Sequence, residues 1–458
     1  MTIIDSLKAI VGPKNLLTTD EEKAYARIDQ STNVPESLPL LVAKVGSVAE
    51  LIEVVQCCVR HRQPLVVRAA GTGKSGGAVA DQKTVVVDTT GLNRIINIDS
   101  QNLTAEVEPG VVLHEFQTAV SNVGLFYPPD PASFRLCTIG GNVAENAAGP
   151  SSLKYGSTKD YVLGGQAILG TGEIIEFGKR CPKGVAGYDI ASLLCGSEGT
   201  LAVFTRLRLR LLPKPKSQNI AWYYFSDEKQ GLLAVNDLLC HGHLPRTLEY
   251  VDAHSLAALY QSPGFSLKPI SAKSALIIEC DASYEHGAKN AMSAIRQTLS
   301  RYPLVSVLEA NSEELRRQIW QARSMLSEAS SRFLGFKISE DIAVPLGALL
   351  DFQEAIKKLE QPPHLLCGLF GHAGDGNLHV QIMFDDLALR SLAEKVRHEV
   401  LMQVLRLGGT LAAEHGIGLQ KKAYLPHEQS AELIALQKRV KLAFDPYNLL
   451  NPGKIFDT

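Results

Sequence analysis

An α+β fold in two parts is the architecture this chain predicts. Three observations carry it. Short Val-, Ile- and Leu-rich runs alternate with short helical patterns as far as Pro213. A proline-rich polar stretch, LPKPK at 212–216, then interrupts them. Beyond it, aromatic and β-branched runs alternate with longer amphipathic helical patterns, which suggests a sheet covered by helices on one face.

Composition narrows the function classes. A chain of 458 residues with 45% hydrophobic and 21% charged content suits two or three globular domains. The net charge of -2, without a Lys/Arg run, argues against nucleic acid and against a polybasic membrane anchor. No apolar run approaches the roughly 18 residues of a membrane span. The opening MTIIDSLKAIVGPKN lacks a secretory signal's basic region and cleavage site. Eight cysteines without a CxxC pair read as reduced structural thiols and argue against iron–sulfur ligation. Together these features predict a cytoplasmic protein and leave peripheral attachment at the inner membrane open.

In order along the chain, residues 1–30 read as two short helices and SLPLLVAKV as a strand. Ser47 and Glu50 fit a capping box, and Leu51, Val54, Val55 and Cys58 mark one apolar helix face. PLVVRAA and TVVVD are strands around a glycine-rich loop. TAEVEPGVVLHEFQTAV reads strand, turn, helix. VLGGQAILGTGEIIEF and LAVFTRLRLRLLP are strands that close the first part at 213. In the second part, IAWYYF, TLEYVDA and ALIIECDA are strands. NSEELRRQIWQARSMLSEASSR is a helix with Asn311 as its N-cap. The tail FDPYNLLNPGKIF holds too many turn residues for a helix. The expected division is 1–213, 214–445 and a returning tail 446–458.

The loop GTGKSGG at 71–77 invites two readings that fail. An NTPase phosphate loop needs a glycine where Arg68 stands. A dinucleotide-binding GxGxxG unit needs a crossover helix, yet only AVADQK separates Gly77 from the next strand. What remains is a loop of bare backbone N–H groups suited to an anion such as a pyrophosphate. A second stretch, CTIGGNVAENAAGPSSLKYG, is rich in small residues that let a backbone approach a flat ligand closely.

The most chemically loaded stretch is GHAGDGNLHV at 371–380. Its glycines, Asp375 and Asn377 predict a tight loop between two strands, with His372 and His379 at its ends. Downstream stand Glu414 and His415. Two imidazoles and a carboxylate with room for a ligand are the inventory of an open zinc-type site. A polar loop with hydrogen-bonded histidines is the competing reading.

Residues 68–77, residues 128–156 and GSEGT at 196–200 resemble the flavin-binding segments of the vanillyl-alcohol-oxidase type of FAD flavoproteins. That resemblance implies a two-subdomain FAD-binding domain followed by a ferredoxin-like α/β cap. The cofactor positions it implies are Arg68, Ala70, Gly71, Thr72, Gly73, Lys74 and Ser75 in the first segment. Pro129, Asp130, Thr138, Gly141, Asn142, Asn146, Gly149, Tyr155 and Gly156 follow in the second. Glu198, Gly199, Thr200 and the tail's Asn451 complete the set. The first loop carries Lys74 and no His, which implies non-covalent FAD.

GHAGDGNLHV, AAEHGIG and NPGKIF in that order resemble one branch, the FAD-dependent D-2-hydroxyacid dehydrogenases. The branch comprises D-lactate dehydrogenase, D-2-hydroxyglutarate dehydrogenase and the flavin subunit of glycolate oxidase. The resemblance implies that His372, His379 and Glu414 bind Zn2+ or Mn2+. It implies His415 as catalytic base, with Arg323, Lys337 and Asn377 binding a small 2-hydroxyacid. The implied electron acceptor is a quinone, a cytochrome or an electron-transfer flavoprotein, and a homodimer is left open. Non-catalytic flavin subunits lack the His/His/Glu-His set, and the ether-lipid transferase of the same fold lacks the GDGNLH run.

Overall fold

The computed structural model describes residues 2–31 and 35–457. The chain forms two compact units. One contains Met1–Ala148, Ser157–Lys214 and Glu414–Thr458, the other Gly149–Gly156 and Pro215–Ala413. Among the described residues no helix is long and apolar enough to cross a membrane.

The first unit holds two main sheets. In the four-stranded one, Leu41–Lys44, Val85–Asp88 and Leu65–Arg68 run parallel, with Leu16–Leu17 antiparallel at one edge. The helix Val48–Arg60 buries Leu51, Val54, Val55 and Cys58 in its core, as a 3.6-residue period requires. Its cap is only half of the expected box. Ser47 accepts from the Glu50 N–H, but the Glu50 carboxylate takes the Gly46 N–H instead of the N-cap's. The strands Leu65–Arg68 and Val85–Asp88 are parallel neighbours although no helix joins them. Residues 69–84 cross over as an irregular chain, so the spacing argument underestimated what a glycine-rich loop can span. The exposed edge of Leu65–Arg68 is covered by the C-terminal tail. Leu65 N–H donates to Leu449 O at 2.8 Å, and Asn451 N–H donates to Leu65 O at 2.8 Å. The second main sheet is antiparallel, in the order Ile95–Asp99, Thr104–Val107, Ala202–Arg210, Val162–Leu169, Ile174–Gly178.

The second unit is built on a seven-stranded antiparallel sheet. Its order is Leu304–Glu309, Ser217–Phe225, Ser274–Ala282, Thr247–Asp252, Leu365–Gly371, Asn377–Phe384, Phe336–Ala343. Helices cover both faces, not one. Trp222 and Tyr224 pack with Leu256, Leu259, Ile319 and Leu326, while Tyr223 points the other way and bonds Met292. The central strands are accordingly apolar along their length, the pattern of a sheet buried on both sides. The helix Glu313–Phe333 starts one residue later than expected. Ser312, not Asn311, is its N-cap, accepting from the Leu315 N–H at 3.2 Å.

Candidate functional site

Within the first unit, five sequence-distant segments are stitched together by hydrogen bonds. Asn451 Nδ2 donates to Gly77 O at 2.9 Å and to Glu198 O at 2.7 Å. Glu198 N–H donates to Ala144 O at 2.8 Å, joining the helix Ile139–Glu145. The Glu198 carboxylate accepts the N–H groups of Ile417 and Gly418, each at 2.8 Å. Leu419 and Gln420 N–H donate to Ser75 O at 2.9 and 3.1 Å. Gly418 has to be glycine here: φ is +50°, and a Cβ would lie 2.2 Å from Ser75 O. His415 sits half-buried in the irregular segment that these bonds hold.

This cluster leaves buried polar atoms without protein partners: Arg68 Nε, Ser75 Oγ, Ser197 Oγ and Asn451 Oδ1. Orphans of this kind are uncommon, and their gathering around a glycine-rich loop fits a large polar ligand such as a flavin dinucleotide. Burial also shapes the local charge. It pushes the Glu198 carboxyl up to about 7, although the two N–H donors and Lys454 favour the anion. Glu145 is raised by burial and by Glu198 beside it. Lys454 donates to Val79 O at 2.9 Å, and burial pulls its ammonium down to about 8 against the pull of Asp81, Asp29 and Glu198.

The expected cofactor residues divide between the units. Arg68, Gly71, Gly73, Ser75, Glu198, Gly199, Thr200 and Asn451 belong to the stitched region, as do Thr138, Gly141 and Asn142 on its short helix. Asn146 ends that helix in the left-handed region and accepts from Lys159 N–H at 2.9 Å. Ala70 and Lys74 are exposed. Thr72, Pro129 and Asp130 lie in loops, and Pro129 O accepts from Gln117 Nε2 at 2.9 Å. Gly149, Tyr155 and Gly156 belong to the other unit, where Tyr155 OH donates to Asp281 Oδ2 at 2.7 Å.

In the second unit the hairpin Leu365–Gly371 and Asn377–Phe384 carries both histidines. The loop is shorter than expected, and His379 is part of the returning strand, opposite Phe370 and Asp341. Gly376 makes the turn at φ +83°, where a Cβ would sit 2.2 Å from Val344 O. The two imidazole centroids are 5.4 Å apart. Glu414 is the first residue of the chain's return to the other unit. Within this one, a ring nitrogen of His372 and one of His379 lie within 4.8 Å of each other. That is somewhat wider than the roughly 3.3 Å edge of a tetrahedron with zinc-type bonds.

Each imidazole has a carboxylate at Nδ1. His372 Nδ1 bonds Glu249 Oε1, and His379 Nδ1 lies 3.5 Å from Asp341 Oδ1. An ionised carboxylate only accepts, so Nδ1 of His372 carries a proton and only Nε2 can act as a ligand atom. This is the outer-shell arrangement that accompanies ligating histidines. Glu249 is fully buried, yet Arg323 and His372 hold its carboxyl at about 2 against the opposing effect of burial.

Arg323 donates Nε to Glu249 Oε2 and lies 5.2 Å from the Phe370 ring centroid. Lys337 donates to Ser327 Oγ at 2.9 Å. Asn377 Nδ2 donates to Asp341 Oδ1 at 2.7 Å and Ile342 O at 2.8 Å, which orients its amide and leaves the buried Oδ1 as an unpartnered acceptor. Sequence reasoning missed Glu249 and Asp341. The one signal for Glu249 was an acid inside a strand whose six residues are all buried.

The comparisons with known proteins fall in line with this geometry. Residues 214–455 match the family of FAD linked oxidases, C-terminal domain, and residues 39–178 match the FAD binding domain family. The chain belongs to the FAD-linked oxidases and has the vanillyl-alcohol-oxidase type of fold. More narrowly, it is an FAD-dependent oxidoreductase of the D-2-hydroxyacid dehydrogenase and glycolate oxidase type. It is 35% identical to glycolate oxidase subunit GlcD of Bacillus subtilis, over 99% of this chain and 96% of that protein. It is 30% identical to a D-lactate dehydrogenase of Anaerostipes hadrus, over 99% and 97%. It is 33% identical to a D-2-hydroxyglutarate dehydrogenase of Xanthomonas citri, over 92% and 90%. Among solved structures, p-cresol methylhydroxylase shares the fold at TM-score 0.81 and 14% identity, over 99% of this chain and 96% of that one. An alkyldihydroxyacetonephosphate synthase does so at 0.77 and 17%, over 99% and 85%.

Proposed function

We propose that this chain oxidises a D-2-hydroxyacid of the lactate, glycolate or 2-hydroxyglutarate class to the 2-oxoacid. The electrons then pass to a quinone, a cytochrome or an electron-transfer flavoprotein. The observation that carries this reading is the convergence of His372 and His379 within one hairpin, with Nδ1 of His372 held by a buried carboxylate.

FAD is held non-covalently by the 68–77 loop, the start of the helix Ile139–Glu145, residues 198–200 and Asn451; when bound it supplies a two-electron acceptor for the substrate's C2 hydrogen. A divalent ion on His372, His379 and Glu414, zinc or manganese, would supply Lewis acidity at the substrate hydroxyl. His415 is the base that takes the hydroxyl proton. Arg323 grips the carboxylate through its two terminal nitrogens, since Nε is committed to Glu249. Asn377 offers Oδ1 as an acceptor, and Lys337 adds positive charge.

Anaerobic titration of the yellow protein with D- and L-lactate, glycolate and D- and L-2-hydroxyglutarate tests the reading. Bleaching by glycolate or by one D-enantiomer is expected. Bleaching by none of them refutes it and turns attention to a flavin-carrying subunit or a non-redox transferase.

A further inference from the structure

Five side chains of the second unit close into a ring of contacts. Arg323 donates to Glu249, and Glu249 accepts from His372. His372 packs edge-on against His379, and His379 packs edge-on against Phe370, each with centroids 5.4 Å apart. Phe370 returns to the Arg323 guanidinium at 5.2 Å. At the centre is Glu249, on the strand Thr247–Asp252, with no exposed surface.

A buried carboxylate bridging a cation and an imidazole is a poor device for stability alone. Apolar residues of similar volume commonly serve as well or better. What the carboxylate adds is direction. One oxygen fixes the ring plane and tautomer of His372, so that only Nε2 is offered as a ligand. The other holds Arg323 by Nε, so that the two terminal nitrogens stay together as a fork for a carboxylate. Because both partners share one acid, neither can reorient without disturbing the other.

We propose that Glu249 is a positioning residue that sets the ion ligand His372 and the substrate grip Arg323 as one rigid unit. This rests on the functional reading given above, and deepens it by making ion affinity and hydroxyacid recognition depend on one buried carboxylate.

Glu249→Gln tests it in the full-length, FAD-loaded protein, because an amide cannot accept from both partners at once. Zinc affinity is measured by competition with a chelating dye, without substrate, and FAD content is followed by absorbance. Zinc affinity should fall about 10- to 100-fold while FAD is retained. At saturating zinc, the D-lactate concentration that half-bleaches the flavin should rise at least about tenfold, the size of one misaligned charge-assisted bond. If Glu249→Gln does not accumulate as a flavoprotein, Glu249→Asp keeps the charge but shortens the reach and carries the same test. Unchanged zinc affinity, or an unchanged D-lactate requirement at saturating zinc, overturns the joint role. His372→Ala separates this from the underlying reading. If it abolishes zinc binding while Glu249→Gln leaves binding intact, only the positioning role falls. If neither variant alters zinc binding, His372 is no ligand, and both fall.

Discussion

Lys441 offers the sharpest test of how the first unit is held together. Its ammonium is 3% exposed and donates to Thr200 O at 2.7 Å and Leu450 O at 2.8 Å, and it pairs with Asp445. Asp445 is fully buried and accepts the N–H groups of Leu449 and Leu450 at 3.0 and 2.7 Å. Lys441→Met keeps the length and removes the charge. It strips two carbonyls of a donor and leaves a buried carboxylate facing only backbone dipoles. Removing one member of a buried pair costs about 3–5 kcal/mol. The assay is hydrogen exchange by mass spectrometry over peptides spanning 445–452, which reads local opening without assuming two-state unfolding. The double variant Lys441→Met/Asp445→Asn should recover part of the lost protection. A single variant within about 1 kcal/mol of the parent at pH 7, with the Leu449 and Leu450 amides unaffected, would refute the reasoning.

Other outcomes follow from features already described. His415→Asn should retain FAD yet slow hydroxyacid bleaching by about 10²- to 10⁴-fold in stopped-flow, and unchanged rates would remove it as the base. Glu360, 3.2 Å away, raises the His254 pKa above 6.5 through their hydrogen bond. The stabilisation by that pair is therefore full below pH 6.5 and is lost as pH rises through the raised value. Thermal midpoints of His254→Gln and parent should accordingly converge from pH 6 to pH 9, and a constant gap would contradict this. Leu51→Ala, in the fully buried face of the helix Val48–Arg60, should cost about 2–5 kcal/mol in urea unfolding. Gly418→Ala should cost more than the roughly 1–2 kcal/mol of a left-handed backbone, because its Cβ would meet Ser75 O, and FAD affinity reports the loss.

Local patterns made much of this legible. The apolar face of Leu51, Val54, Val55 and Cys58 could be read because a helix imposes its period on consecutive residues. The His372–His379 hairpin could be read because glycines and turn residues mark where strands stop. Errors at caps were single-residue contests, as between Asn311 and Ser312, where both side chains can accept the same N–H. The helices on both faces of the large sheet were harder. Whether Tyr223 points to solvent or to Met292 depends on what covers it, not on its neighbours in sequence. Glu249 and Asp341 were invisible for the same reason. Their partners His372 and Asn377 lie 123 and 36 residues away, and no spacing rule spans such distances.

The threading of the first unit sets an order of events during synthesis. Strand Leu65–Arg68 leaves the ribosome well before Leu449–Asn451, the segment that shields its edge. The whole second unit is made in the interval. Until then the nascent half-sheet presents an open rim able to recruit foreign strands, which makes it a natural client for holdase chaperones. A stop between Lys214 and Leu449 should yield insoluble product in place of a truncated flavoprotein.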